Sequence, residues 1–310
     1  MRVIITGGTG LIGRTLANSL AKDHHEVIVL SRNTNKTSGL DGGVKVVGWD
    51  ASTAQGWGEL ADGAGAIVNL AGESIAGEGF PPKPWTTERK RRIRDSRIHA
   101  GKAVLEAITA AKNKPGVLIQ SSAVGYYGMQ GDKDLTEESP IGGDFQAQVC
   151  KDWEAVTQPV ETMGVRRVVI RTGIVMTTKG GVLPLMALPF KLFAGGPIGS
   201  GKQLISWVHL DDEIAAIRFL MENTSASGAY NLSAPNPQSN AALGRAIARA
   251  LGRPYWLPAP AFAFKLAFGE LSTLLLDGQR VLPKRLLAAG FTFQHPEIEA
   301  ALRDVFTNGK

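Results

Sequence analysis

Residues 6–13, which read Thr-Gly-Gly-Thr-Gly-Leu-Ile-Gly, decide the fold of this chain. They follow a short apolar run and begin a segment with helical periodicity. In that context the first glycine permits a sharp turn, the second lets the backbone approach a pyrophosphate, and the third lets a helix pack against a strand. The N–H groups of the first helical turn then attract phosphate oxygens. The motif predicts a dinucleotide site formed by Gly7, Thr9, Gly10, Leu11, Ile12 and Gly13.

Apolar runs and helical segments alternate along the first part of the chain. The apolar runs lie at residues 2–6, 26–31, 44–49, 66–70, 116–121 and 167–171, and the helical patterns at residues 11–22, 86–111 and 146–163. Such alternation is typical of βαβ units, whose strands form a parallel sheet with helices on both faces. We therefore predict an α/β fold with a Rossmann-type doubly wound parallel sheet.

The regular alternation ends after residue 175, which indicates a second, smaller lobe. Glycines and prolines are frequent in residues 179–201. A strand end followed by a helix is expected at residues 208–223, a last short strand at residues 230–233 and a helix at residues 240–251. We predict a Rossmann domain at residues 1–225, although residues 176–205 are expected to contribute to the substrate lobe. The C-terminal substrate lobe is predicted at residues 226–310 and contains a separate module at about residues 255–306.

The composition is that of a globular chain with a positive balance of charge. A formal net charge of +6 permits binding of phosphates and nucleotides without choosing among anions. Because Cys150 is the single cysteine, no internal disulfide can form, and a cytoplasmic location is expected. Two apolar stretches, at residues 182–198 and 259–276, are interrupted by charges and prolines. We expect them to be buried or lid helices, and no membrane span is predicted.

The end of the second predicted strand distinguishes between dinucleotide cofactors. NAD sites usually have an acidic residue there for the ribose 2′-hydroxyl, whereas this chain has Ser31 and Arg32. A carboxylate would repel a 2′-phosphate, while a hydroxyl and a guanidinium bind it. We therefore predict NADP (NADPH), with an exposed surface arginine as the alternative interpretation of Arg32. Further cofactor contacts are expected from Asp50 at the adenine and, at the ribose and pyrophosphate, from Leu70, Ala71 and Gly72.

Further motifs resemble those of one family and together span essentially the whole chain. They lie at residues 69–73, 95–97, 144–154, 171–174, 195–201 and 207–209, with a tail at residues 278–291. With the glycine motif, they make the chain similar to the extended short-chain dehydrogenases/reductases of the NAD-dependent epimerase/dehydratase superfamily. Within that superfamily it resembles the atypical branch of "epimerase family" proteins, which carry a small C-terminal module of unknown function.

The resemblance implies roles for residues far from the glycine motif. It implies that Ser31 and Arg32 meet the 2′-phosphate and that Arg97 and Ile174 touch the cofactor. Ser122 matches the catalytic hydroxyl of the superfamily, and the adjacent Ser121 is expected to contact the cofactor.

The superfamily's catalytic Tyr-x-x-x-Lys pair is missing from its expected position. If Glu154 takes the usual glutamate position, Gln146 falls at the tyrosine site and Cys150 at the lysine site. Neither replacement can do the work, because an amide does not titrate and a thiol carries no positive charge. Tyr127, or alternatively Tyr126, is expected to supply a phenol from another element. In the competing interpretation both tyrosines only pack beneath the nicotinamide loop.

Two functions from different classes remain open. The first is an NADP-dependent oxidoreductase or epimerase acting on an unidentified small polar or sugar-like substrate. Ser122 would polarise the reacting oxygen, and a tyrosine or water would carry the proton. The second is a catalytically weak or inactive NADPH-binding regulator with a protein partner, because the Tyr-x-x-x-Lys pair is missing. The resemblance also implies a protein partner, since some proteins of this branch in photosynthetic lineages are described as resembling cell-division inhibitors.

Other ligand classes find little support in the sequence. The histidines show no metal-ligand spacing, so no metal is predicted; we expect Asp211 to cap a helix, with His209 as an alternative substrate contact. The basic residues between 83 and 97 recur around a helix instead of forming a stripe, which is typical of a solvated face and not of a nucleic-acid site.

Overall fold

The computed structural model describes residues 1–35, 38–77 and 81–308. Its strands are β1 (Arg2–Thr6), β2 (Glu26–Ser31), β3 (Val44–Gly48), β4 (Ala66–Asn69), β5 (Val117–Ala123), β6 (Asp134–Leu135), β7 (Arg166–Thr172), β8 (Ile174–Met176), β9 (Leu204–Ile205), β10 (Trp207–His209), β11 (Gly228–Leu232), β12 (Gln238–Ser239) and β13 (Arg280–Val281). Its α-helices are α1 (Leu11–Lys22), α2 (Thr87–Ala110), α3 (Phe145–Ala155), α4 (Leu183–Lys191), α5 (Leu210–Glu222), α6 (Asn240–Leu251), α7 (Ala261–Phe268), α8 (Thr273–Leu276), α9 (Lys284–Ala288) and α10 (Ile298–Asn308). Short 3₁₀ helices span Gly58–Ala61, Val124–Tyr127, Gln158–Met163 and Gly269–Ser272.

A seven-stranded sheet of order β11-β7-β5-β4-β1-β2-β3 forms the centre of the molecule. Each neighbouring pair in it is parallel. The strand order reverses between β1 and β4, and ligands of such sheets bind outside the carboxyl ends of the strands at this reversal. The predicted α/β fold with a Rossmann-type doubly wound sheet is confirmed.

Helices cover both faces of the sheet because successive strand residues point to opposite sides. Val3 and Ile5 of β1 face a core that contains residues of α1 and α5, while Ile4 faces the core formed with α2. Both cores contain fully buried aliphatic side chains, so the sheet is a rigid support for the loops at its carboxyl edge.

The C-terminal part of the chain contributes to more than one core. Residues of β8, α4 and β10 form a third hydrophobic cluster with α6 and α10. In contrast, Leu286, Phe291 and Phe293 join the core on the α1 and α5 face of the main sheet. Strand β11 lies beyond residue 225, the predicted end of the Rossmann domain, and pairs with β7 at the edge of the sheet. Residues 309 and 310, at the end of the predicted lobe, lie outside the described residues.

Among the helices in the described ranges, none combines the length and the apolar character that crossing a membrane requires.

Candidate functional site

The turn from β1 into α1 has the geometry of a phosphate cradle. Gly7 has a φ of +66°, and a Cβ there would lie 2.9 Å from the carbonyl carbon of Leu70. A Cβ at Gly13 would lie 2.5 Å from the Gly7 carbonyl oxygen, so only glycine allows α1 to approach the turn. Gly10 begins the helix as its N-cap and donates to the Gly7 carbonyl at 2.9 Å.

The first turn of α1 supplies the donors of this cradle. The first N–H groups of a helix have no partner within the helix, and here they belong to Leu11, Ile12 and Gly13. Thr9 precedes them, and its carbonyl accepts from the Arg14 guanidinium at 2.8 Å. The turn therefore presents the free N–H groups of the first helical turn, which fits a dinucleotide pyrophosphate.

A buried polar chain holds β1, β4 and β5 together beside the cradle. The Thr6 hydroxyl donates to Asn69 Oδ1 at 2.7 Å and accepts from the N–H groups of Leu70 and Ala71 at 3.1 and 3.2 Å. The Asn69 amide nitrogen donates to Gln120 Oε1 at 2.9 Å. These contacts fix the start of the loop that contains Gly72. No sequence motif revealed them, because their members lie on three strands far apart in sequence.

The carboxyl ends of β2 and β3 lie on the other side of the cradle. Ser31 is buried, and its hydroxyl donates to the Asn33 carbonyl at 2.8 Å, which shapes the turn after β2. Arg32 is exposed. The Asp50 carboxylate accepts from the N–H groups of Ser52 and Thr53 at 2.7 and 2.8 Å. These hydrogen bonds hold the Asp50 pKa well below its usual range, so Asp50 is an ionised loop-forming residue.

Arg97 of α2 lies beside the end of β4. Its guanidinium donates to the carbonyls of Glu73 and Ile93 at 3.0 and 2.8 Å and lies 4.8 Å from the ring centroid of Trp153. A Cβ at Gly72 would be 3.1 Å from this side chain. Burial lowers the Arg97 pKa to about 10, which still leaves the group charged at neutral pH. Arg97 thus places a positive charge at the carboxyl edge of the sheet.

Ser122 belongs to a buried hydrogen-bond network that crosses three strands. Its hydroxyl donates to Glu154 Oε1 at 2.7 Å, and Ser122 is 2% exposed. Arg171, opposite Ser122 in the register of β5 and β7, donates twice to the Glu154 carboxylate at 2.9 Å. A third Arg171 donor reaches the Tyr127 hydroxyl at 3.0 Å, and that hydroxyl donates to Asn231 Oδ1 at 2.6 Å. The network gives Glu154 both a fixed position and a compensated charge.

Tyr127 and Tyr126, the two residues predicted to supply a phenol, differ in their surroundings. Tyr127 has no exposed surface, and burial raises its pKa to about 12. Its hydroxyl already donates to Asn231 and accepts from Arg171. The role of Tyr127 in proton transfer stays a prediction. Tyr126 packs edge-on against Tyr127 and lies with its ring centroid 3.4 Å from the Arg171 guanidinium.

Helix α3 directs Gln146, Cys150 and Glu154 toward the end of β5, since residues four apart share a helix face. A Cβ at Gly125 would lie 3.2 Å from Gln146, and the Cys150 thiol donates to the Ala123 carbonyl at 3.7 Å. Burial raises the Cys150 pKa to about 11, so the thiol is neutral at physiological pH. The face beside Ser122 thus offers an amide, a thiol and an ion-paired carboxylate.

Residues after β7 complete the carboxyl edge. Ser121, next to Ser122, is partly exposed. Ile174 begins β8, donates its N–H to the Ser206 carbonyl at 2.9 Å and pairs with Trp207. The Gly173 backbone lies so close to Ser206 that a Cβ there would be 2.9 Å from its carbonyl oxygen. Ile174 is therefore held at the edge of the sheet by backbone contacts.

His209 caps α5, whereas the sequence pattern predicted Asp211 as the cap. Its Nδ1 accepts the Asp211 N–H at 3.1 Å, and its ring centroid lies 3.9 Å from that of His295, with the two ring planes tilted by 32°. His209, Asp211, His295 and Asp304 offer ligand-type atoms within 4.8 Å of one another, a cluster that sequence spacing did not reveal. Because Nδ1 accepts a hydrogen bond, the neutral ring carries its proton on Nε2, and this tautomer favours a helix cap over a metal centre.

The arginine-rich start of α2 is largely paired within the protein. Arg89 is buried and donates to the Ser74 carbonyl at 2.9 Å. Arg91 pairs with Glu88 at 2.9 Å, and Arg94 pairs with Asp152 at 2.7 Å. These hydrogen bonds and ion pairs explain the arginines at the start of α2 as structural residues.

Comparisons with known proteins bear on the whole chain. Residues 3–233 match the model of the NAD dependent epimerase/dehydratase family, and residues 259–305 match a domain of unknown function, DUF1731. The Bacillus subtilis (strain 168) epimerase family protein YfhF is 40% identical over 311 residues, which cover 100% of this chain and 99% of that protein. The chain is 38% identical to the Arabidopsis thaliana chloroplastic homolog of epimerase family protein SDR39U1. The match covers 98% of this chain and 86% of the Arabidopsis protein.

Solved structures agree with this assignment. The crystal structure of human epimerase family protein SDR39U1 (isoform2) with NADPH has a TM-score of 0.86 and 33% identity, covering 99% of this chain and 100% of the human one. The Thermus thermophilus UDP-glucose 4-epimerase complex with NAD has a TM-score of 0.78 and 19% identity, over 99% of this chain and 98% of the Thermus chain. This similarity shows that the two proteins share the fold. The chain therefore belongs to the NAD dependent epimerase/dehydratase family, with the family's Rossmann-type NAD(P)-binding fold.

Proposed function

We propose that the chain is an NADP(H)-binding oxidoreductase or epimerase that lacks the usual Tyr-x-x-x-Lys pair. The observation that carries this proposal is the glycine cradle at β1–α1, which a single Cβ at Gly13 would close. The choice of NADP(H) over NAD(H) is supported by Ser31 and the exposed Arg32 at the end of β2. It is further supported by the NADPH in the crystal structure of the human relative.

Each part of the cradle suits one part of that cofactor. The free N–H groups of Leu11, Ile12 and Gly13 would hold the pyrophosphate, and Arg32 would pair with the 2′-phosphate. Arg97 brings a charge to the carboxyl edge, and Ile174 would pack against the nicotinamide end. When bound, the cofactor supplies or accepts a hydride.

Ser122 and Glu154 are the proposed route for the proton. The Ser122 hydroxyl already donates to Glu154 Oε1, so its oxygen can accept a proton from an alcohol while its own proton moves to the carboxylate. Arg171 keeps Glu154 fixed through two hydrogen bonds. In the reducing direction the proton moves the opposite way, from Glu154 through Ser122 to the substrate oxygen, and water then restores it. Because Ser122 is 2% exposed, only a ligand seated against the end of β5 reaches it.

The cofactor proposal is tested by measuring the dissociation constants of NADPH and NADH by calorimetry. We expect Arg32→Ala to weaken NADPH binding by roughly 10- to 100-fold, as for loss of a hydrogen bond to a charged group, and to leave NADH binding unchanged. Arg303→Ala, at an exposed arginine of α10, is the control and should change neither constant. Equal affinity of the unaltered protein for both cofactors would overturn the choice of NADP(H).

A second candidate function is an NADPH-binding regulator with a protein partner. The observation that favours it is the replacement of the catalytic pair by Gln146 and Cys150, of which neither titrates near neutral pH. We expect a regulator to bind NADPH without oxidising it in the presence of any alcohol or carbonyl compound, and to recover a partner in amounts that depend on NADPH. Turnover of NADPH with a defined substrate, or recovery that is unaffected by NADPH, would exclude this candidate.

A further inference from the structure

An apolar cavity of about 430 Å³ lies between α4, α6 and the α7–α8 segment. This volume is in the range of small-molecule binding sites. One part of its lining comes from Ile75, in the loop after β4, and from Ile174, the first residue of β8. Both segments leave the carboxyl edge of the sheet, where the dinucleotide cradle lies. The cavity therefore opens next to the expected position of the nicotinamide.

The walls of the cavity are almost without polar groups. Among the described residues that line it, none is charged, and Asn240 is the single polar side chain. Asn240 is buried, and its Oδ1 already accepts the Ile198 N–H at 2.9 Å. A sugar nucleotide would bury hydroxyl and phosphate groups here without enough partners, and each unpaired buried polar group weakens binding. A hydrocarbon leaves no such group unpaired.

The cavity is built into the backbone and does not depend on a ligand to form it. The segment at Gly195–Ile198 runs against residues 256–259, and the N–H groups of Trp256 and Ala259 donate across to it at 2.9 and 2.8 Å. A Cβ at Gly196 would collide with the Leu257 carbonyl oxygen, so only glycine permits this approach. A preformed cavity of this kind binds apolar ligands with little cost of reorganisation.

Helix α7 forms one wall and separates two sets of apolar side chains. Phe264 and Phe268, four residues apart, line the cavity. Phe262 and Leu266 lie on the outer face and are 72% and 87% exposed. Phe268 also packs against the hydrophobic cluster around Trp85, and no residue of α7 is fully buried.

We infer that the substrate is an apolar alcohol or carbonyl compound, whose hydrocarbon body fills this cavity and whose reacting oxygen lies at the Ile174 end. This inference rests on the proposed oxidoreductase function. In the reducing direction the carbonyl carbon would receive a hydride from bound NADPH as the carbonyl π bond breaks, and the oxygen would take the proton that Ser122 donates, which the solvent replaces through Glu154. The products are NADP⁺ and the alcohol. The cavity thus favours a substrate class different from the polar or sugar-like one that the sequence predicted.

The test is a calorimetric titration of the full chain, with and without NADPH, with methyl ketones from hexanone to dodecanone. Each added methylene should lower the dissociation constant by about fourfold until the cavity is filled, as expected for burial of one CH₂. Phe264→Asp should weaken binding of the longest ketone by at least tenfold. Phe262→Asp, the same change on the outer face of α7, should have no effect. UDP-glucose is the polar comparison and should bind more weakly than the longest ketone.

Two outcomes separate the inference from the proposed function. If NADPH binds but affinity for the ketones does not rise with chain length, or UDP-glucose binds more tightly, the apolar substrate is wrong and the cofactor proposal stands. If the ketones bind with the expected dependence but NADPH does not bind, the proposed function fails while the cavity remains an apolar site. Circular dichroism shows whether each variant is folded. If both variants are folded and Phe264→Asp and Phe262→Asp weaken ketone binding equally, the assignment of the cavity is also wrong.

Discussion

Glu213 is a buried acid whose titration should make the stability of the protein depend on pH. It has no exposed surface, and its Oε1 accepts from the Thr172 hydroxyl at 2.8 Å. Its Oε2 is buried and lacks a hydrogen-bond partner among the described residues. Burial, opposed by the Thr172 hydrogen bond, raises the Glu213 pKa from 4.5 to about 8. The folded protein therefore keeps Glu213 protonated at neutral pH, where the unfolded chain ionises it.

The direction of the pH effect follows from this difference in bound protons. Between the unfolded pKa of 4.5 and the folded value of about 8, the folded state holds one more proton than the unfolded state. Stability from this group is therefore lost as pH rises through that window and is constant above it. With 1.36 kcal/mol for each pKa unit, the loss between pH 5 and pH 9 is about 4 kcal/mol.

The perturbation is Glu213→Gln, which keeps the shape of the protonated acid but cannot ionise. The free energy of unfolding is measured by urea denaturation at pH 5, 7 and 9, and the original protein is compared with the variant at each pH so that other titrating groups cancel. We expect the original protein to lose about 4 kcal/mol relative to the variant across this range. Glu222→Gln, at the exposed end of the same helix, should show no such trend. A difference that is constant with pH, or that favours the original protein at high pH, would refute the reasoning.

Three further predictions concern the cofactor cradle, the thiol and the network. Gly13→Ala should abolish NADPH binding and lower the free energy of unfolding by about 1–3 kcal/mol through overpacking, measured by calorimetry and urea denaturation; unchanged NADPH affinity would contradict the cradle. Cys150, with its pKa raised to about 11 by burial, should react with a thiol reagent at pH 8 far more slowly than in the urea-unfolded chain, and equal rates would show that the thiol is accessible. Tyr127→Phe should cost about 1–3 kcal/mol of stability, because one Arg171 donor and the Asn231 Oδ1 lose the hydroxyl that they share, while NADPH affinity stays constant. A selective loss of turnover instead would support a catalytic phenol.

The sheet and its cradle were predictable because their signals are local. The glycines at residues 7, 10 and 13 follow a strand and precede a helix within one short segment, and the alternation of apolar runs is visible along the chain. The assignment of Gln146 and Cys150 to the positions of the catalytic pair rests on the family resemblance and stays a prediction, although both residues lie on the face of α3 that contacts the end of β5.

The buried network was not predictable, since it depends on the register of distant strands. Ser122 meets Glu154 and Arg171 because β5 pairs with β7 at that register and α3 places Glu154 beside both residues. The apolar stretches at residues 182–198 and 259–276 were recognised, but a pattern of apolar residues does not say whether they meet each other or enclose a space. The substrate class that we propose rests on that enclosure and not on any motif.

The side chains of Leu286, Phe291 and Phe293 fill the core beneath the main sheet, although they belong to the C-terminal module. Asn231 of β11 also donates to the Leu282 carbonyl at 3.0 Å, so the module closes the last edge of the sheet. Cutting the chain before the module would leave an open hydrophobic gap under β11, and grafting the module onto another Rossmann protein would leave these rings unburied. The two matched segments thus form one folding unit, and we expect neither to fold stably without the other.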